Sequence, residues 1–167
     1  MKKKPGKSGS RRHAEVEHVT LFGNTARLGP YGLIQFAGQY LAGARSTQQI
    51  PLIQTFLVCH ALELALKAFL ALKGSSLVEL AGGPYGHDLK NLIAEADKRG
   101  LQALVKLDDN QNAEIIRASD YYAEKVLEYP SVTEVIRGYP KMANTDVLIG
   151  AADALVGALH EPCLQAE

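Results

Sequence analysis

Apolar residues recur at helical spacing along most of this chain, and strict two-residue alternation is not found. Leu33, Ala37, Tyr40, Leu41 and Ala44 return every three or four positions and predict a helix over about 31–45. Ser46 and Thr47 offer an N-cap, and Pro51 suits a first turn, where its missing N–H costs little. A long helix is therefore expected from about 48 to 73, stopped by Gly74. A short turn is expected over 75–86, followed by a compact helix in HDLKNLIAEADKRG whose stripe is Leu89, Leu92, Ile93 and Ala96. Asp108 or Asp109 can start a fourth helix reaching about Glu128, and Asn144–Asp146 can cap a last one through VLIGAADALVGALH. The segment 129–143, with two Tyr-Pro pairs, reads as a loop, since a residue before Pro avoids helical angles. The pattern gives an all-α, up-and-down bundle of about five helices.

Composition sharpens the ends of this picture. Apolar residues make up 47% of 167, enough for one real core. Net charge is zero, but residues 1–12, MKKKPGKSGSRR, hold six of the 18 basic residues and no acid. The rest carries 12 basic against 18 acidic residues, so the body is mildly acidic and lacks the broad basic face that duplex nucleic acid demands. Residues 1–18 read as a flexible basic tail, 19–30 as irregular, and 19–167 as a single helical domain. No apolar segment follows the basic residues as a secretory signal requires, and the two cysteines, Cys59 and Cys163, fit a reducing cytoplasm. Residues 50–72 are long enough to span a bilayer, but Glu63 and Lys67 near the middle would each cost roughly 2.5–3.5 kcal/mol there, so no membrane role is expected.

Candidate chemistry sits on that central helix. His60, Glu63 and Lys67 fall within about 60° of one another at 100° per residue, and Glu63 to Lys67 is an i,i+4 pair with the acid first. A polar stripe on a helix apolar nearly all round must find partners. His87 and Asp88, at the start of the next helix, are the expected ones, with Asp88 close to Lys67. The expected role of His60, Glu63, Lys67, His87 and Asp88 is a structural polar seam, because mutually paired charges suit such a network and no nucleophile is indicated; no residue is assigned as catalytic. No metal site is expected: Glu15-Val-Glu-His18 is the single Glu-x-x-His spacing, where a di-iron bundle needs two such motifs and two further Glu. A second candidate is an anion or nucleotide site at Arg137, Tyr139 and Lys141, where a guanidinium fork matches phosphate and a tyrosine ring can stack a base.

Taken together, HALELALKAFLALKG, then YGHDLKNLIAEA, then YYAEKVLEYPSVTEVIRGYPKM resemble a HEPN-type helical domain over about residues 31–160. The resemblance implies a helical bundle, frequent dimerisation and a bacterial or archaeal cytoplasmic setting, with no cofactor. Many HEPN proteins are toxin or defence ribonucleases acting without metal, while others bind nucleotides, RNA or protein partners, including nucleotidyltransferase-type proteins. The ribonucleases carry an Arg followed four to six residues later by a His on a C-terminal helix. This chain departs there: after Arg117 the next histidine is His160. The expectation is a non-catalytic HEPN-like binding module, forming a homodimer or working beside a nucleotidyltransferase-like protein or RNA. The alternative is a metal-independent HEPN ribonuclease with an atypical active site.

Overall fold

The helix α2, Pro51–Leu72, has apolar residues on every side and so must be enclosed rather than laid on a surface. The computed structural model describes residues 17–21 and 24–166, with side chains described from Gly29 onward, and it places α2 at the centre. Val58, Ala61, Leu62, Ala65, Leu66, Phe69 and Leu70 are fully buried. The preceding helix α1, Pro30–Ser46, joins α2 through the short link Thr47–Ile50 and packs along it with Ile34, Ala37, Leu41 and Ala44. The last helix, α7 (Thr145–Leu164), closes the bundle against α1 and α2 with Leu148, Ala151, Leu155 and Leu159. Between them in sequence come α3 (Leu77–Ala81), α4 (Leu89–Lys98), α5 (Asp109–Tyr122) and α6 (Val132–Arg137). α4 packs on α2, and α5 packs on α4 and α7.

The helical architecture agrees with the pattern of apolar positions; several local expectations do not. A two-stranded antiparallel pair, β1 (Glu17–Leu21) with β2 (Asn24–Leu28), precedes α1, so residues 17–18 are not tail, and 19–21 and 24–28 are not irregular. In EHVTL and NTARL the polar His18, Thr20, Thr25 and Arg27 do alternate with Val19, Leu21, Ala26 and Leu28, but Glu17 and Asn24 interrupt the apolar set and two five-residue runs are short for a period of two to stand out. The rest of the expected tail, residues 1–16, lies outside the described residues.

The segment 75–86 is more than a turn. Ser76 accepts a hydrogen bond from the Glu79 N–H while the Glu79 carboxylate takes the Ser76 N–H, and this reciprocal cap starts α3. The same device, Ser131 with Glu134, starts α6 inside what the two Tyr-Pro pairs suggested was loop. α5 ends at Tyr122, short of Glu128, and Lys125 then adopts φ 58°, a left-handed conformation that a helix cannot contain. α2 begins at Pro51 with Ile50 as cap residue, rather than at 48. The expected stop holds: Gly74 follows α2 with φ 91°.

α2 and α7 are both long and apolar enough to cross a membrane by length and composition, yet 72% of the α2 window is buried inside the fold. Its apolar surface is used against protein.

Candidate functional sites

α2 carries Glu63 into the core, where the residue is 2% exposed. An isolated buried carboxylate would be costly, and four side chains answer it. Lys67, one turn on, donates from Nζ to Glu63 Oε1 at 2.6 Å. Tyr122, at the end of α5, donates its hydroxyl to Oε2 at 2.5 Å. His87, in the link before α4, meets Oε2 from Nδ1 at 3.0 Å. His60 Nδ1 stands 3.6 Å from Oε2 but 2.7 Å from the Tyr122 hydroxyl, so it reaches the carboxylate through the tyrosine. Lys67 also donates to the Gly86 carbonyl at 2.7 Å, which ties the link before α4 down to α2.

Proton counting fixes the histidine tautomers. A carboxylate only accepts, so His87 must carry its proton on Nδ1. Tyr122 has one proton and gives it to Glu63, so His60 Nδ1 must donate to the tyrosine oxygen. Both rings therefore turn Nδ1–H inward and leave Nε2 on the outside. The His60 ring is framed by Tyr40, edge-on at 4.3 Å between centroids, and Phe56, nearly parallel at 6.2 Å.

Burial by itself would raise the Glu63 carboxyl; the donors around it, with the Lys67 charge, outweigh burial and hold it at about 2. The same arrangement acts oppositely on its neighbours. Burial, then the Glu63 charge, pushes the Tyr122 phenol and the Cys59 thiol far above their usual ranges. Neither is poised to ionise as a nucleophile.

The seam thus gathers His60, Glu63, Lys67 and His87 as the spacing suggested, and leaves out Asp88. That residue caps α4, accepting from the Asn91 N–H at 3.0 Å and from the Ser119 hydroxyl at 3.0 Å. Capping geometry turns it toward its own helix and α5, so Gly86 and His87 occupy the place by Lys67 that Asp88 was expected to take. Tyr122 is the member that sequence reasoning missed. It lies on the apolar stripe of α5, and its hydroxyl gave no signal that it would be the tie across the core.

The second candidate set divides. Arg137 stands exposed at the end of α6, a helix with no buried residue at all. Tyr139 packs edge-on against Tyr121 at 5.5 Å, spending its ring on protein rather than on a base. Lys141 lines a cleft of about 500 Å³ between α5 and the segment 140–142, together with Arg117 and Asp120. Ile116, Pro140 and Met142 form its apolar wall.

Arg117 is aimed by a buried partner. Glu114, 6% exposed, accepts the Asn144 N–H on Oε2 at 2.6 Å, and its Oε1 forms an ion pair with Arg117 Nη1 at 2.9 Å. The remaining guanidinium donors are unspent on protein among the described residues. Lys141 is steadied by its backbone N–H, which reaches the Tyr121 hydroxyl at 3.4 Å. Arg117 and Asp120 were legible only as outward residues of α5, because their neighbour Lys141 lies far along the chain. Neither Arg117 nor Arg137 contacts a histidine among the described residues. No known protein family, no curated protein and no solved structure matches this chain.

Proposed function

We propose that this chain is a non-catalytic HEPN-like binding module whose ligand carries phosphate, and that a nucleotide is the class its cleft suits. The observation that carries this reading is the convergence of Arg117 and Lys141 on one apolar-walled cleft. A guanidinium fork held by Glu114 is preorganised for a phosphate, and the lysine adds a mobile point charge. Asp120 can accept from a sugar hydroxyl or a base N–H, and Ile116 with Met142 offers the apolar contact a base needs. A volume of about 500 Å³ suits one nucleotide better than a polymer track. The seam supports the HEPN comparison at a second point, since it joins the E-x-x-x-K motif of α2 to the histidine of GHDL. On this reading the protein works in a bacterial or archaeal cytoplasm with the partners the resemblance implies, a second copy and a nucleotidyltransferase-type protein.

Titration of the full chain with AMP and ATP, followed by calorimetry, tests the cleft. Arg117→Ala and Lys141→Ala should each weaken binding about tenfold or more, as loss of a charge-assisted hydrogen bond does. Arg137→Ala should leave it unchanged. Absence of saturable binding at millimolar nucleotide would overturn the reading. Incubation with RNA in EDTA should give no cleavage. Cleavage that disappears in Arg137→Ala but survives deletion of residues 1–18 would make the protein a ribonuclease instead.

A further inference from the structure

A second cavity, of about 320 Å³, lies at the other end of the fold, between α3 and the end of α4. It is lined by Ser75, Val78, Glu79, the Gly82–Tyr85 loop and Arg99. Arg99 is locked in place: Nε donates to Glu95 Oε1 at 2.8 Å and Nη1 donates to Ser75 Oγ at 2.8 Å. That leaves three of its five N–H donors, including both on Nη2, without a protein acceptor among the described residues. Ser75 is 6% exposed and accepts from Arg99, while its own hydroxyl proton has no acceptor among the described residues. A buried hydroxyl with an unspent donor beside a fixed guanidinium is half of a carboxylate site.

Glu79 is the other half of the argument. One of its oxygens caps α3 through the Ser76 N–H at 3.0 Å, and the other is unspent among the described residues. A plain anion entering the cavity would meet this carboxylate, and a plain cation would meet Arg99. A ligand carrying both charges a few bonds apart satisfies both. The remaining walls, Val78, Pro84 and Tyr85, are apolar or aromatic.

We propose that this cavity binds a free α-amino acid with an apolar or aromatic side chain. Its carboxylate meets Arg99 and Ser75, its ammonium meets Glu79, and its side chain lies against Val78 and Tyr85. The cavity is at the small end of ligand pockets, which suits one amino acid rather than a peptide. The site is separate from the Arg117–Lys141 cleft, so it stands or falls without the nucleotide reading.

The test uses the full chain, ¹⁵N-labelled, titrated with L-phenylalanine and L-isoleucine. Saturable shifts at Ser75, Glu79, Gly82, Gly83 and Arg99 amides are expected. L-phenylalaninamide, lacking the carboxylate, and N-acetyl-L-phenylalanine, lacking the ammonium, should each bind about tenfold more weakly or worse. Glu79→Gln keeps an oxygen for the Ser76 cap and removes the charge, so it should fold normally and lose binding to a similar degree. Arg99→Lys should do the same. The proposal is overturned by no saturable shift at millimolar amino acid, by equal binding of the amide or the acetylated compound, or by a folded Glu79→Gln protein that binds as wild type does.

Discussion

Glu63→Ala is expected to lower stability by about 3–5 kcal/mol, the cost of removing one partner from a buried pair. In a chain of this length that is a fall in melting temperature of roughly 6–20 °C. The substitution deletes the acceptor for Lys67, Tyr122 and His87 at once. Lys67 suffers most, since its ammonium is 8% exposed as a residue and keeps only the Gly86 carbonyl. Exchanging both charges for apolar groups of similar shape, Glu63→Leu with Lys67→Met, should cost less than Glu63→Ala alone, because nothing charged is then left buried. Urea denaturation of the three proteins gives the comparison. A single substitution that melts with wild type but abolishes ligand binding would make the seam a binding site rather than a structural tie.

The same carboxylate sets an acid limit. Its value falls from an ordinary 4.5 to about 2 in the folded protein. A depressed carboxyl contributes stability that is complete above the ordinary value and is lost as pH falls through the folded one. The window is therefore pH 4.5 down to 2, and the contribution lost across it is about 3 kcal/mol. Stability measured through that range should fall steeply in the wild type and less so in the Glu63→Leu/Lys67→Met protein.

How far the sequence foretold the seam depends on distance along the chain. Glu63–Lys67 is a local pair, fixed by helix geometry, and was legible directly. His87 was legible because a short connection must bring α4 back onto α2. Asp88 was misplaced for a local reason: a capping residue is claimed by its own helix first. Tyr122 lies 59 residues from Glu63, and only the packing of α5 brings them together. The cleft repeats the lesson, since Arg117 and Lys141 meet through the turn of chain that follows α5. The short helices α3 and α6 were missed because a reciprocal Ser–Glu cap needs only four residues, too few to show a 3.6-residue period.

Leu66→Ala and Ile136→Ala should behave as opposites although both shorten an aliphatic side chain. Leu66 is wholly buried on α2, and its truncation leaves a cavity worth about 2–5 kcal/mol. Ile136 is 76% exposed on α6, beside Val132 and Val135 at 75% and 73%, and its loss should change stability by no more than about 0.5 kcal/mol. The sequence pattern puts Ile136 in a loop, whereas the structure puts both residues on helices, and burial is what separates them. If Ile136→Ala destabilised as Leu66→Ala does, α6 would be part of the folded core. If it does not, three aliphatic side chains on one six-residue helix contribute nothing to folding. A contiguous apolar face kept at that exposure is of the kind that serves interaction rather than stability. Parallel melting curves of the two variants decide which account of α6 holds, independently of any ligand.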